Sequence, residues 1–167
     1  VDITGDANGD GTRHFDNDEF IELINVSNQS IDISGYKFYD QENFVLGIAN
    51  HVVPSNTIIE PNKAYVVFGG GTPTGSFGDA IVHVASSAAF NLNTPTNSSG
   101  VGSGDTLTIN DADGINVIFF PITSPLAANP DESYTLSPDI CGDFEQHHFA
   151  NSSLLFSPGT KIDGSSF

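Results

Sequence analysis

Glu19-Phe-Ile-Glu-Leu-Ile-Asn-Val26 is the stretch whose reading decides the fold. It is short and apolar, with Phe and Ile prominent, and turn residues follow it at Ser27–Ser30. Short apolar runs of this composition, closed by turn residues, read as β-strands. Ahead of it, residues 1–18 are an acidic, glycine-containing loop.

The same grammar continues along the chain. Ile31 to Tyr39 reads as a strand with a bend at Gly35, and Phe44 to Ile48 and His51 to Val53 as shorter strands. Ile58-Ile59 and Ala64–Phe68 flank the turn Glu60-Pro61-Asn62-Lys63. Ala80–Val84 follows a flexible Gly69–Gly78 loop. Asp105–Asn110 and Ile115–Phe120 flank Asp111-Ala112-Asp113-Gly114, a hairpin signal. Ser133–Leu136 and Asp143–Phe149 read as weaker strands, and an ordered tail begins at Ser157. No long stretch keeps a 3.6-residue apolar period, so helix is not expected. Strand alternation predicts a core built from Ile21, Leu23, Tyr36, Phe38, Val66, Phe68, Leu107, Ile109 and Val117. The expected fold is an all-β antiparallel sandwich, a single domain over residues 1–167 with 1–18 as an acidic N-terminal entry loop.

Composition narrows the function. The net charge is −17, with 21 acids against Arg13, Lys37, Lys63 and Lys161. Nucleic-acid affinity rests on Lys and Arg displacing counterions from phosphate, so a nucleic-acid partner is not expected. Anionic membrane is disfavoured for the same reason, and no apolar run reaches the ~20 residues of a membrane span. Cys141 is the single cysteine, which reads as a buried inert thiol. Methionine is absent, so the numbering is expected to begin inside a longer product.

One motif carries chemistry. Asp6-Ala-Asn8-Gly-Asp10-Gly11 is D-x-N-x-D-G, the front half of an EF-hand-type calcium loop. Alternate residues of a tight loop point inward, so three side-chain oxygens converge on a hard cation, and Gly11 permits the sharp turn. Thr12 then offers a backbone carbonyl. The twelfth position is Asn17 instead of the bidentate Glu, with Asp16 and Asp18 on either side as substitutes. The predicted ligands of a Ca²⁺ ion are therefore Asp6, Asn8, Asp10, Thr12, Asp16 and Asp18. The competing reading is an Asx/Gly turn with solvated acids.

Other candidates read as structure. Asp111 and Asp113 supply only two such ligands between two good strands, which makes a turn. His147 and His148 are adjacent, so on a strand they would face opposite sides and not share an ion. G-x-S-x-G, H-E-x-x-H, P-loop and G-x-G-x-x-G motifs are all missing.

Several segments together resemble the lamin tail domain family. They are Asp18-Glu-Phe-Ile-Glu-Leu-Ile-Asn25, then Ser30-Ile-Asp-Ile-Ser-Gly35-Tyr-Lys-Phe38, then Ile59-Glu-Pro-Asn-Lys-Ala-Tyr-Val-Val67. Gly104-Asp-Thr-Leu-Thr-Ile-Asn-Asp-Ala-Asp-Gly114, Ser133-Tyr-Thr-Leu136 and Ser157-Pro-Gly-Thr160 follow in the family's order. The resemblance implies an immunoglobulin-like sandwich of the bacterial branch, found in secreted and surface proteins, with no catalytic residues to carry over. The nuclear members' chromatin link does not transfer to a chain of this charge. The loop Asn91–Gly104 exceeds the family's usual connection and is the expected seat of individuality.

The expected function is that of a non-catalytic accessory or adhesion module, secreted or on a cell surface, whose partners are other protein domains or surface components. The alternative is a carbohydrate-binding module of an extracellular hydrolase. That alternative needs an exposed aromatic strip, for which Tyr36, Tyr39, Tyr65 and Tyr134 are the material.

Overall fold

The computed structural model describes residues 5–92, 105–122 and 131–167. Eleven strands and two short helices are found among them. The described residues fall into two compact units.

The first unit comprises residues 5–32, 58–84 and 131–167. Its main sheet has the order β1-β6-β7, from β1 (Phe20–Ile24), β6 (Ala64–Phe68) and β7 (Ile81–Val84). β1 runs antiparallel to β6, with Phe20 opposite Phe68 and Leu23 opposite Tyr65. β7 departs from the antiparallel expectation and runs parallel to β6, with Val66 opposite Val82. Two small antiparallel pairs complete the unit: β2 (Ile31–Asp32) with β5 (Ile58–Ile59), and β10 (Tyr134–Ser137) with β11 (Asp143–Gln146). Every residue of β6 is buried, and Val66 and Phe68 anchor a cluster with Ala7, Phe20, Phe77 and Phe156. Ala7 belongs to the acidic loop, so that loop is fastened to the core by its own apolar residue.

The second unit comprises residues 33–57, 85–92 and 105–122. Its sheet has the order β4-β3-β8-β9, from β3 (Lys37–Tyr39), β4 (His51–Val52), β8 (Asp105–Asn110) and β9 (Asn116–Ile122). Phe38, Ile109 and Phe90 are fully buried. The turn at Asp111–Gly114 forms as read: the Gly114 amide donates to the Asp111 carbonyl (3.1 Å), and Gly114 takes φ +86°.

Four sequence expectations are corrected. Phe44–Ile48 is not a strand: Gln41–Leu46 is helix α1. Asp40 Oδ1 caps it by accepting from the Asn43 amide at 2.7 Å, and Gly47 ends it in the left-handed conformation at φ +71°. Val117 is not core but 46% exposed. The β8–β9 register passes from Asn110↔Asn116 to Ile109↔Ile118, so Val117 is the extra residue of a bulge that shifts the alternation. His147 and His148 stand on helix α2 (His147–Ala150), not on a strand. Of the remaining expected core, Ile21, Phe38, Val66, Phe68, Leu107 and Ile109 are buried, and Leu23 and Tyr36 are half-buried. Cys141 is exposed, not buried. Most of the loop Asn91–Gly104 lies outside the described residues.

Candidate functional site

The D-x-N-x-D-G segment folds into a tight loop whose side chains turn back on its own amides. The Asp10 amide donates to Asp6 Oδ1 at 3.1 Å and to Asn8 Oδ1 at 2.9 Å, so these two oxygens converge on one point. The Gly11 amide donates to Asp6 Oδ2 at 2.8 Å, and the Thr12 amide to Asp10 Oδ1 at 2.9 Å. Gly9 and Gly11 take φ +71° and +88°, the left-handed geometry that lets the chain curl around the side chains.

A second segment clamps the loop. The amides of Thr74 and Gly75 donate to the Asn8 carbonyl at 2.9 and 3.2 Å, and the Thr72 amide reaches Asp10 Oδ2 at 3.3 Å. Gly71 lies so close that a Cβ there would meet the Asn8 side-chain nitrogen and sit 2.7 Å from Asp10 Oδ2. Asn8 is fully buried as a result.

The back half is arranged differently. Asp18 is buried, and its carboxylate accepts from the Asn8 amide (3.1 Å) and the His14 amide (2.7 Å). Asp18 thus ties the loop's start to its end. Thr12 is exposed and Asp16 half-buried, and neither takes part in the bonds around Asp18. Among the described residues, no group of three or more His, Cys, Asp or Glu side chains is gathered to hold a metal ion. An ion here would therefore need a mixed oxygen set, with the Asn8 amide and backbone carbonyls beside the carboxylates of Asp6 and Asp10. That chemistry fits calcium, which takes oxygen ligands of all three kinds. The hydrogen bonds already present do not exclude it, because a carboxylate offers about four lone-pair sites.

The sequence reading missed how the loop is framed. Arg13, from the loop itself, pairs with Asp131 at 2.9 Å. A cleft of about 320 Å³ opens beside the loop, lined by Asp6, Phe77, Leu154, Phe156, Pro158 and Thr160. The tail that forms one wall is held by buried His147. Its Nδ1 lies 3.1 Å from the Leu154 carbonyl oxygen and its Nε2 2.9 Å from Ser157 Oγ. A carbonyl only accepts, so Nδ1 carries the proton and Nε2 accepts from the serine hydroxyl. Burial lowers the His147 pKa, which keeps the ring neutral. The only sequence signal for this latch was the Ser157-Pro-Gly-Thr160 segment; nothing paired it with His147.

The aromatic material for a sugar platform is largely inside. Tyr65 is fully buried and Tyr39 is 8% exposed, while Tyr36 and Tyr134 are half-buried.

Short, mostly antiparallel sheets with few helices define an all-β, immunoglobulin-like class of domain. The model of the lamin tail domain matches residues 1–122, most of the chain, so the chain belongs to the lamin tail domain family, whose immunoglobulin-like domains are non-catalytic. A search of curated proteins found no match. Among the described residues, no helix is long and apolar enough to cross a membrane.

Proposed function

We propose that this chain is a non-catalytic accessory module of a secreted or cell-surface bacterial protein, whose partners are other protein domains or surface components, and whose loop 5–18 is stabilised by Ca²⁺. One observation carries the calcium reading: the side-chain oxygens of Asp6 and Asn8 meet at the Asp10 amide while Asp10 curls its own carboxylate onto Thr12. Asp6, Asn8 and Asp10 would bind through side chains and Thr12 through its carbonyl, with Asp16 or Asp18 completing the shell. Acids crowded into one short loop repel one another, and a hard cation relieves that repulsion. Magnesium suits the loop less well, because it holds its waters and demands stricter geometry.

The missing bidentate Glu implies weak affinity, on the order of 10⁻⁴–10⁻³ M, the range of extracellular modules. Such a site fills outside a cell and stays empty in a cytosol, which supports the secreted location. The role is structural, since the loop is joined both to the core through Ala7 and to residues 72–75. The carbohydrate-binding alternative is weaker, because Tyr39 and Tyr65 are buried. Calorimetric titration of the metal-stripped chain with CaCl₂ and, separately, MgCl₂ tests the reading. Saturable calcium heat with weaker magnesium heat is expected. No saturable calcium heat up to several times that range would leave the loop as a turn alone.

A further inference from the structure

The cleft beside the acidic loop has an apolar floor. All of its lining belongs to the first unit, from the loop, residues 75–77 and the tail from Leu154. At about 320 Å³ it stands at the small end of ligand sites. Phe77 and Phe156 pack against the cluster of Ala7, Val66 and Phe68, and the Phe77 ring lies 5.3 Å from that of Phe68. Both residues are half-buried, so each keeps some surface outside the core. Leu154 and Pro158 add to the floor from the tail. A Cβ on Gly75 would come within 2.8 Å of the Phe77 ring, so glycine there leaves the ring its place.

The hydroxyls of Ser157 and Thr160, in the same lining, have their protons committed. Ser157 Oγ donates to His147 Nε2 at 2.9 Å, because the Leu154 carbonyl fixes the ring proton on Nδ1. Thr160 Oγ1 donates to the Ser157 carbonyl at 3.1 Å. Both oxygens are left as acceptors. The amides of Gly75 and Thr160 are also spent, on the Asn8 and Ser157 carbonyls, and Pro158 has no amide hydrogen. Asp6 is the one ionisable residue in the lining, and an ionised carboxylate only accepts. The nearest cations in sequence are engaged elsewhere: Arg13 pairs with Asp131 at 2.9 Å, and Lys161 lies in the field of Asp163.

This lining rejects an anion, which Asp6 would repel. A purely apolar guest would cover Asp6 without returning a hydrogen bond, at a cost. A long basic side chain meets both parts. Its apolar stem lies along Phe77, Leu154 and Phe156, and its head, which carries donors and no acceptor, serves Asp6 and the two hydroxyl oxygens. The net charge of −17 draws such partners toward the chain. We propose that the cleft receives an arginine or lysine side chain of a partner protein. Its tail wall is set in advance. The Gly159 amide donates to Glu22 Oε2 at 3.2 Å, the Ile162 amide to Asp139 Oδ1 at 2.9 Å, and Asn151 Nδ2 to the Ile162 carbonyl at 3.0 Å. Little ordering is therefore left for binding to bear. The inference goes beyond the calcium reading and does not need it. Asp6 belongs to both sites, so calcium enters only as a competitor, and the test is run in chelator.

The test is a titration of the ¹⁵N-labelled chain, followed by amide NMR shifts. The probes are N-acetyl-arginine methylamide and N-acetyl-lysine methylamide, against the neutral N-acetyl-norleucine methylamide and methyl glucoside. The basic probes should shift the Phe77, Phe156 and Thr160 amides saturably, with dissociation constants on the order of 10⁻³ M for ligands of this size. The norleucine probe should bind at least tenfold more weakly, and Asp6→Asn should weaken the basic probes about tenfold. Ser76 is exposed on the rim and lies outside the calcium ligands. Ser76→Lys places a cation there and should weaken them as much, with an unchanged melting temperature. Norleucine binding as tight as arginine would make the cleft merely apolar and overturn the proposal. Glucoside binding as tight as arginine would do the same in favour of a sugar. No saturable shift at those three amides, or basic probes indifferent to Ser76→Lys, would also overturn it.

Discussion

Glu22, in the middle of β1, accepts a hydrogen bond from the Gly159 amide at 3.2 Å, 137 positions further along the chain. A carboxylate in the first strand thereby holds the tail that walls the cleft beside the acidic loop. Burial pushes its pKa from 4.5 up to about 7; the Gly159 bond pulls it down, and Asp139 nearby pushes it up. The folded state therefore keeps this proton more tightly than the unfolded chain does. Its contribution is complete below about pH 4.5 and is lost as pH rises through about 7.

Glu22→Gln should flatten that profile. The amide oxygen still accepts from Gly159 but carries no charge to bury. The variant is expected to match the wild type near pH 4 and to exceed it by roughly 2 kcal/mol at pH 8, after allowance for partial exposure. Urea unfolding across pH reads the difference, and parallel curves would show that Glu22 is not the titrating group.

His147 acts in the opposite direction. Its lowered pKa means that the unfolded chain takes up the proton first, so stability falls as pH drops below 6.5. His147→Phe should cost about 1–3 kcal/mol at pH 8 by stranding Ser157 Oγ and the Leu154 carbonyl. The gap should narrow at pH 5, where the wild type must give up a proton to fold. A gap that widens on acidification would contradict the neutral latch.

Gly71→Ala should injure the loop from outside it. Gly71 has φ +74°, and the added methyl would press on Asn8 and Asp10. A loss of about 1–3 kcal/mol is expected, together with weaker calcium binding. Gly47→Ala has the same left-handed strain, at φ +71°, but meets no atom within 4 Å. It should cost less and leave calcium binding intact. Equal effects of the two on calcium binding would remove Gly71 from the account.

Duplex DNA should not bind at physiological salt, because only four cationic side chains are available, and Arg13 and Lys63 are already paired. Fluorescence anisotropy should stay flat through micromolar protein. A salt-sensitive rise would contradict this.

The sequence was most legible where period and turn chemistry agreed. β6 and the β8–β9 hairpin stand where their apolar runs and the Pro61-Asn62 and Asp113-Gly114 turns put them, and Asn62 takes a positive φ of 57° in that turn. It misled where a local cap outweighed composition. Phe44-Val45-Leu46 looks like a strand, but Asp40 and Gly47 close a helix around it. Val117 shows a third limit: one bulge residue reverses inward and outward, and no alternation count detects it. At the candidate site, D-x-N-x-D-G marked the loop by spacing alone. Its fastening could not be read the same way, because Asp131, Gly71 and Thr74 meet the loop only through long-range folding.

The central claim is that the loop from Asp6 to Asp18 takes calcium. Thermal unfolding in excess calcium and in chelator, for the wild type and Asp10→Ala, tests it most directly. Because the ion binds the folded state, calcium at ~100 times its dissociation constant should stabilise the wild type by about 2.7 kcal/mol, a rise of several degrees in Tm, and Asp10→Ala should lose most of that rise. Identical wild-type midpoints in calcium and in chelator would contradict the account and leave the segment a hydrogen-bonded turn.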